Sequence, residues 1–186
     1  PNMHVMAPKN KWELSDMIKF ALSFGGPVAV RYPRGEAYDG LKNYRAPVEY
    51  GKSEAIYQEK DIMLLAVGSM VKVALTVREQ LIEQGFACSL TNARFVKPID
   101  EEAVRESCKS HRLLVTMEEN VASGGYGEKV REYVDGLGVS TQVLCITIPD
   151  EYVEHGNVEL LKQEIGIDAV SIVEKVSAKY KSMTEQ

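Results

Sequence analysis

The chain has 186 residues, of which 45% are hydrophobic and 26% are charged, and its formal net charge at pH 7 is −5. This balance is typical of a globular protein with a hydrophobic core, and it excludes a disordered chain, a collagen-like fibre and a disulfide-rich scaffold. The acidic charge argues against a general nucleic-acid binder, and no stretch approaches the roughly 18 apolar residues of a transmembrane helix, so we expect neither nucleic acid nor a membrane as a partner.

Residues 1–35 have the pattern of a strand, a helix and a second strand. His4–Ala7 is a short apolar strand, and Asn10 with Glu13 three residues later is the capping box of a helix start. The apolar run Val28–Val30 begins the second strand. A β-α-β unit is typical of a parallel sheet. Because the chain begins inside this patterned segment without an initiator methionine, we expect it to be a piece of a longer protein.

Residues 36–48 have neither helical nor strand periodicity and are predicted to be a linker between domains. From residue 49 onward, apolar strands alternate with amphipathic helices. The predicted strands are Ser53–Tyr57, Ile62–Val67, Ala87–Val96, Leu113–Met117 and Gln142–Ile148. Helices are predicted after Gly68-Ser69, after Asp100, after the glycine-rich turn at 124–127, and from Asn157 and Asp168.

Continuous apolar strands separated by amphipathic helices require a parallel sheet that is covered on both faces. The sequence therefore predicts an α/β fold with a mostly parallel sheet, in which residues 49–186 form a complete domain. The two strands and one helix of residues 1–35 cannot bury their own apolar faces, so we expect that segment to be poorly anchored.

The loop Arg31–Gly35 is the first candidate site, because ligands bind beyond the carboxyl ends of parallel strands. Its two arginines, Arg31 and Arg34, suit a phosphate or carboxylate group, which a guanidinium can bind through two hydrogen bonds. The alternative is a surface turn whose arginines pair with local carboxylates.

Two further loops follow predicted strands. Glycines 124, 125 and 127 precede a helix and could cradle a phosphate, but the spacing is that of neither a dinucleotide-binding motif nor a P-loop, and Glu118 and Glu119 would repel an anion. A tight packing turn is the favoured interpretation. The third loop contains His155, for which a structural role is favoured over proton transfer.

The three cysteines, Cys88, Cys108 and Cys145, are an odd number and lie among apolar neighbours. This pattern predicts buried, reduced and slowly reacting thiols in a cytoplasmic protein. Their spacing is not that of metal ligands, so no metal site is predicted.

Four segments of the sequence carry a family resemblance. They are Pro1–Pro8, Arg31–Gly35, Asn92–Asp100 and Glu154–Gly156. Together they resemble the 1-deoxy-D-xylulose-5-phosphate synthase family, which belongs to the transketolase-like, thiamine-diphosphate-dependent enzymes. The stretch Asn-Ala-Arg-Phe-Val-Lys-Pro is the most diagnostic. The resemblance extends over essentially the whole chain but covers only the C-terminal part of such an enzyme.

The resemblance implies that residues 1–35 end a pyrimidine-binding domain and that residues 49–186 are a transketolase-like C-terminal domain. The family condenses pyruvate with glyceraldehyde 3-phosphate, with loss of CO₂, and feeds isoprenoid and thiamine synthesis. It uses thiamine diphosphate and Mg²⁺, and we expect a homodimer. The family's cofactor and metal motifs are absent from this sequence, so no catalytic, cofactor-binding or metal-binding residue is predicted, and the chain alone should be inactive.

One family position carries over to this sequence. Arg34 matches the family arginine that grips the phosphate of the aldehyde substrate, and Arg31 is its companion. Residues 124–127 and His155 match family positions with packing and subunit-contact roles.

Two alternatives to this assignment are open. The chain could be the C-terminal section or β subunit of another transketolase-like enzyme, which the segment Asn92–Asp100 argues against. It could also be a non-catalytic dimerisation domain, which the incomplete first sheet argues against.

Overall fold

A computed structural model describes residues 2–184, so Pro1 of the first predicted segment and residues 185–186 of the last lie outside the described residues. The strands are β1 (His4–Met6), β2 (Val28–Val30), β3 (Glu54–Tyr57), β4 (Asp61–Ala66), β5 (Cys88–Asn92), β6 (Phe95–Lys97), β7 (His111–Val121) and β8 (Gln142–Ile148). The helices are α1 (Lys11–Phe24), α2 (Met70–Glu83), α3 (Glu101–Ser107), α4 (Tyr126–Leu137), α5 (Val158–Glu164) and α6 (Ala169–Thr184).

The larger sheet has five strands in the order β3-β5-β4-β7-β8, and all its pairings are parallel except that of the edge strand β3 with β5. Strand β4 is apolar along its length because both of its faces are covered. Ile62 and Leu64 pack in one hydrophobic cluster with α2 and α6, whereas Met63 and Leu65 pack in a second cluster with α3 and α4. The predicted α/β fold with helices on both faces is confirmed.

The smaller sheet has three strands in the order β2-β1-β6. Strands β1 and β2 are parallel and are joined by α1, which begins after the N-cap residue Asn10 and ends at Gly25 in the left-handed conformation. This unit has the strand-helix-strand order that the sequence predicts. Its third strand, β6, comes from the chain beyond residue 49 and pairs with β1 antiparallel.

The prediction of one continuous strand over Ala87–Val96 is wrong. The strand ends at Asn92, and Arg94 has a φ of 57°, so that β6 leaves the larger sheet and joins the smaller one. The side chain of Asn92 accepts a hydrogen bond from the backbone N–H of Arg94, which is the local turn that asparagine favours.

Residues 1–35 are better anchored than we expected. Besides the β1–β6 pairing, Met6 and Met17 share a small buried cluster with Phe95, and Ala7 belongs to the second cluster of the larger sheet. The rest of the chain thus covers the apolar faces that this short β-α-β unit cannot bury by itself. Residues 36–48 contain no helix or strand, and the domain boundary there stays a prediction.

A cluster of four buried charges joins the two sheets. Lys9 donates hydrogen bonds to Glu13 at 2.9 Å and to Glu54 at 2.5 Å. The guanidinium of Arg94 lies 2.8 Å from the Glu13 carboxylate and 3.0 Å from that of Glu54. The side-chain amide of Asn92 also donates to Glu13. All five residues are buried, and two cations balance two carboxylates.

The charges in this cluster depend on one another. Burial alone raises the pKa of Glu54, but the hydrogen bond from Lys9 and the charge of Arg94 outweigh it and hold that pKa below its ordinary value. Removing one member leaves a buried charge without a partner, which costs about 3–5 kcal/mol. Each of the four charged side chains therefore needs the others in place.

We predict that Glu54→Gln lowers the free energy of unfolding at pH 7 by about 3–5 kcal/mol, because Lys9 and Arg94 lose a buried counter-charge. Glu102→Gln is the matched control, since Glu102 also lies 2.5 Å from a lysine but its side chain is 63% exposed. It should cost less than about 1 kcal/mol. Urea unfolding of both variants measures the difference.

The loss of unfolding free energy caused by Glu54→Gln should also depend on pH. Because the folded pKa of Glu54 is lowered, its contribution is complete above the unfolded pKa and is lost as the pH falls through the folded value. The gap between the parent chain and Glu54→Gln should therefore narrow in acid. Equal costs for Glu54→Gln and Glu102→Gln would contradict the structural role of the cluster.

Candidate functional site

The carboxyl ends of strands from both sheets meet around a small cavity of about 110 Å³. This is the edge at which parallel sheets bind ligands. The cavity is lined by Ala7 after β1, Arg31, Tyr32 and Pro33 after β2, Val67, Gly68 and Ser69 after β4, and Glu119 in β7.

Backbone contacts connect the end of β1 to β2 and to the turn between β5 and β6 at this edge. The N–H of Ala7 donates to the carbonyl of Arg94 at 2.8 Å, and the N–H of Arg31 donates to the carbonyl of Met6 at 2.8 Å. Gly68 has a φ of 57°, and a Cβ atom there would lie 3.1 Å from that of Ala7. A larger residue would be strained by its conformation and crowded by its neighbour, so glycine allows the two sheets to approach.

Glu119 contributes a carboxylate to the cavity and is held by two other elements. The hydroxyl of Ser69, just before α2, donates to it, and the Lys162 ammonium of α5 lies 2.8 Å away. Burial by itself raises the pKa of Glu119, but these two hydrogen bonds and the charges of Lys162 and Arg31 lower it below its ordinary value. The cavity lining thus combines the cation of Arg31 with an ionised carboxylate, and Lys162 lies behind that carboxylate outside the lining.

The two arginines predicted to bind a substrate phosphate differ in position. Both are exposed, but Arg31 lines the cavity whereas Arg34 lies outside the lining. Within residues 2–184, neither arginine has an ion-pair partner within 4.0 Å, so the surface turn in which they pair with local carboxylates is not observed there. Both remain proposed rather than established ligands.

The glycine-rich loop is closed by the protein's own carboxylate. Glu118 is completely buried and accepts hydrogen bonds from the N–H groups of Tyr126 and Gly127 at the start of α4. A Cβ atom at Gly125 would lie 2.7 Å from Glu118 Oε1. The amides that could have bound a phosphate are therefore occupied, and the glycines permit close packing.

His155 lies in an exposed segment between β8 and α5 and is not among the residues that line the cavity. Glu119 and Lys162 could not be predicted as partners from the sequence, because they are far apart in the chain and neither belongs to a recognisable motif. Among residues 2–184, no three metal-ligating side chains lie together. No helix in that described part of the chain is long and apolar enough to cross a membrane.

The three cysteines are free but differ in environment. Cys88 is buried, which raises its pKa to about 12, and burial also raises the pKa of Cys108. Cys145 is only partly buried, and its sulfur lies 3.2 Å from a guanidinium nitrogen of Arg131. The expectation of uniformly slow thiols therefore fits Cys88 better than Cys145.

We predict that Cys145 reacts fastest and Cys88 slowest with a thiol reagent in the native state. A pKa of about 12 leaves Cys88 roughly 1,000-fold less thiolate at neutral pH than an ordinary cysteine has, whereas Cys145 is only partly buried and is more accessible to a reagent. Mass spectrometry of partially alkylated peptides measures the order. Equal rates at Cys88 and Cys145 would refute this prediction.

This chain matches one protein-family model and is similar to several known proteins. The family model described as "Transketolase, C-terminal domain" matches residues 51–172. A 1-deoxy-D-xylulose-5-phosphate synthase of Lachnoclostridium phytofermentans is 47% identical over 179 residues, which are 95% of this chain and 28% of the relative. That of Aquifex aeolicus is 38% identical over 176 residues, again 95% of this chain and 28% of the relative.

A solved structure described as "Split gene transketolase, inactive beta4 tetramer" matches with a TM-score of 0.88 and 26% identity, over 97% of this chain and 58% of that one. The chain thus spans little more than a quarter of the length of the curated relatives. These likenesses confirm the family resemblance that the four sequence segments indicate.

Proposed function

We propose that this chain, which belongs to the transketolase C-terminal domain family, is the C-terminal part of a 1-deoxy-D-xylulose-5-phosphate synthase. Such an enzyme is a transferase that condenses pyruvate and glyceraldehyde 3-phosphate with loss of CO₂, in isoprenoid and thiamine synthesis. The observation that carries the proposal is 47% identity to a synthase of this name across 95% of the chain. We infer a cytoplasmic enzyme.

Thiamine diphosphate and Mg²⁺ belong, in this proposal, to the remainder of the full-length enzyme. Magnesium prefers several oxygen ligands, including carboxylates, around one ion. In residues 2–184 no group of three potential metal ligands comes together, so these residues do not fit the metal and no cofactor step is assigned to them. We therefore propose that the chain is inactive alone. The similarity to an inactive tetramer of a split transketolase supports this proposal.

The contribution of this chain is an anion-binding loop for the aldehyde substrate. Arg31 and Arg34 follow β2 at the carboxyl edge of the smaller sheet, and Arg31 lines the cavity. The phosphate of glyceraldehyde 3-phosphate is a doubly charged group with oxygens that match a guanidinium. Arg34 is exposed and free of an ion pair within the described chain, so its charge is available to a substrate entering from solvent.

A second contribution is contact between subunits of a homodimer. Helix α5 buries none of its residues, and Val158 and Leu160 on it are 60% and 64% exposed. Tyr152, in the segment before α5, is fully exposed. Three large apolar side chains exposed within residues 152–160 support a contact surface in this segment.

We predict that Arg34→Ala in the full-length enzyme lowers kcat/KM for glyceraldehyde 3-phosphate on the order of 10- to 100-fold, because a charge-assisted contact with phosphate is lost. Formation of the pyruvate adduct should be nearly unchanged, since pyruvate has no phosphate. Arg34→Lys should recover only part of the loss. Steady-state kinetics with the aldehyde and rapid-mixing kinetics with pyruvate separate the two effects.

The matched control is Arg105→Ala, which removes an exposed arginine of α3 outside the cavity lining and should leave both half-reactions unchanged. If Arg34→Ala slowed both half-reactions equally, or left the aldehyde KM unchanged, Arg34 would be a structural residue of the turn.

A second candidate is the β subunit of a split transketolase, which the structural similarity at a TM-score of 0.88 favours. The two candidates differ in the donor substrate. Turnover from pyruvate by the full-length enzyme supports the synthase, whereas turnover from a ketose phosphate without pyruvate supports the transketolase. Absence of both activities favours a non-catalytic dimerisation domain.

A further inference from the structure

The cavity beside the anion-binding loop contains an acidic side chain that the proposed function does not explain. A carboxylate near a phosphate site weakens phosphate binding by charge repulsion. Glu119 nevertheless lines the same cavity as Arg31. It is fixed there by Ser69 and by the Lys162 ammonium at 2.8 Å.

The ion pair between Glu119 and Lys162 is more sheltered than those on the protein surface. Their side chains are 27% and 14% exposed, compared with 69% and 57% for Glu132 and Lys129, which form an ion pair of similar length on α4. Lys162 lies on α5, which buries none of its residues. Burial of apolar side chains on α5 therefore does not explain why Lys162 lies beside Glu119. Sheltered charges are screened less by water and salt, and they act on their neighbours more strongly.

We propose that Glu119 and Lys162 are positioning residues that set how strongly Arg31 attracts an anion, with Glu119 weakening and Lys162 strengthening the binding of a phosphate at the cavity. This inference rests on the proposed function for its natural ligand. Glu119 is not ion-paired with Arg31, but its charge lies close enough to reduce the positive potential that Arg31 creates, and Lys162 offsets part of the charge of Glu119.

The signs of the effects follow from the charges at the cavity. Arg31, Lys162 and Glu119 together carry one net positive charge. Glu119→Gln raises that net charge, so an anion should bind more tightly. Lys162→Gln removes it, so an anion should bind less tightly. Opposite changes in anion affinity in the two variants would show that the ion pair acts through its charges. An ion pair with only a structural role would weaken anion binding in both variants.

The experiment measures the inhibition constant of inorganic phosphate, as a competitor of glyceraldehyde 3-phosphate, in the full-length enzyme. We expect Glu119→Gln to lower that constant, and Lys162→Gln to raise it, each on the order of 5- to 10-fold. The control variants Glu132→Gln and Lys129→Gln remove the exposed pair on α4 and should not change that constant.

Phosphorus NMR titration of inorganic phosphate with each variant provides a second readout that needs no turnover. Shifts of the same sign in both variants, or no shift in either, would overturn the proposal. If the opposite shifts occur while Arg34→Ala leaves the aldehyde kinetics unchanged, the anion cavity is supported and the proposed function of the loop fails. The two proposals can therefore fail separately.

Discussion

The buried charges of Lys9, Glu13, Glu54 and Arg94 constrain the structure more than any other contact between its two sheets. Removed from water, each charge must find its partners inside the protein. Arg94 uses its Nε on Glu13, and its two terminal nitrogens on the carbonyls of Ala46 and Pro47 and on the Glu54 carboxylate. Few arrangements of the chain satisfy all of these donors and acceptors together. The cluster thus fixes residues 9–13, 46–54 and 92–94 relative to one another.

That constraint extends to the cavity through the backbone. The carbonyl of Arg94 accepts a hydrogen bond from the N–H of Ala7. The carbonyl of Met6, which precedes Ala7, accepts a hydrogen bond from the N–H of Arg31. The same residue whose side chain joins the sheets therefore aligns the end of β1, and β1 aligns the start of the anion-binding loop. Glu119 and Ser69 approach from the larger sheet. Two loops that belong to different sheets form one site because the sheets are joined a few residues away.

The features that could be predicted from the sequence are those that depend on residues close together in the chain. The apolar run of β4, the N-cap Asn10 and the caps Asp100 and Asn157 are all as predicted, because periodicity and capping are local properties. The break at Arg94 was missed, although Asn92 was a usable turn signal. The pairing of Glu119 with Lys162 left no local signal at all, since it depends on how α5 returns to the sheet. Anion binding by Arg34 rests on the family resemblance rather than on its contacts.

The central claim is that the N-terminal β-α-β unit and the five-stranded sheet form one structural unit that supports the cavity. Native-state hydrogen exchange of the amides of Ala7 and Arg31 tests it most directly, since Ala7 donates to Arg94 where the two sheets meet and Arg31 donates to Met6 at the adjoining end of β1. The account predicts that they open with the same free energy as the amides of β4, in one cooperative transition. Exchange of these amides roughly 1,000-fold faster than that of β4, at the rate of residues 36–48, would contradict it.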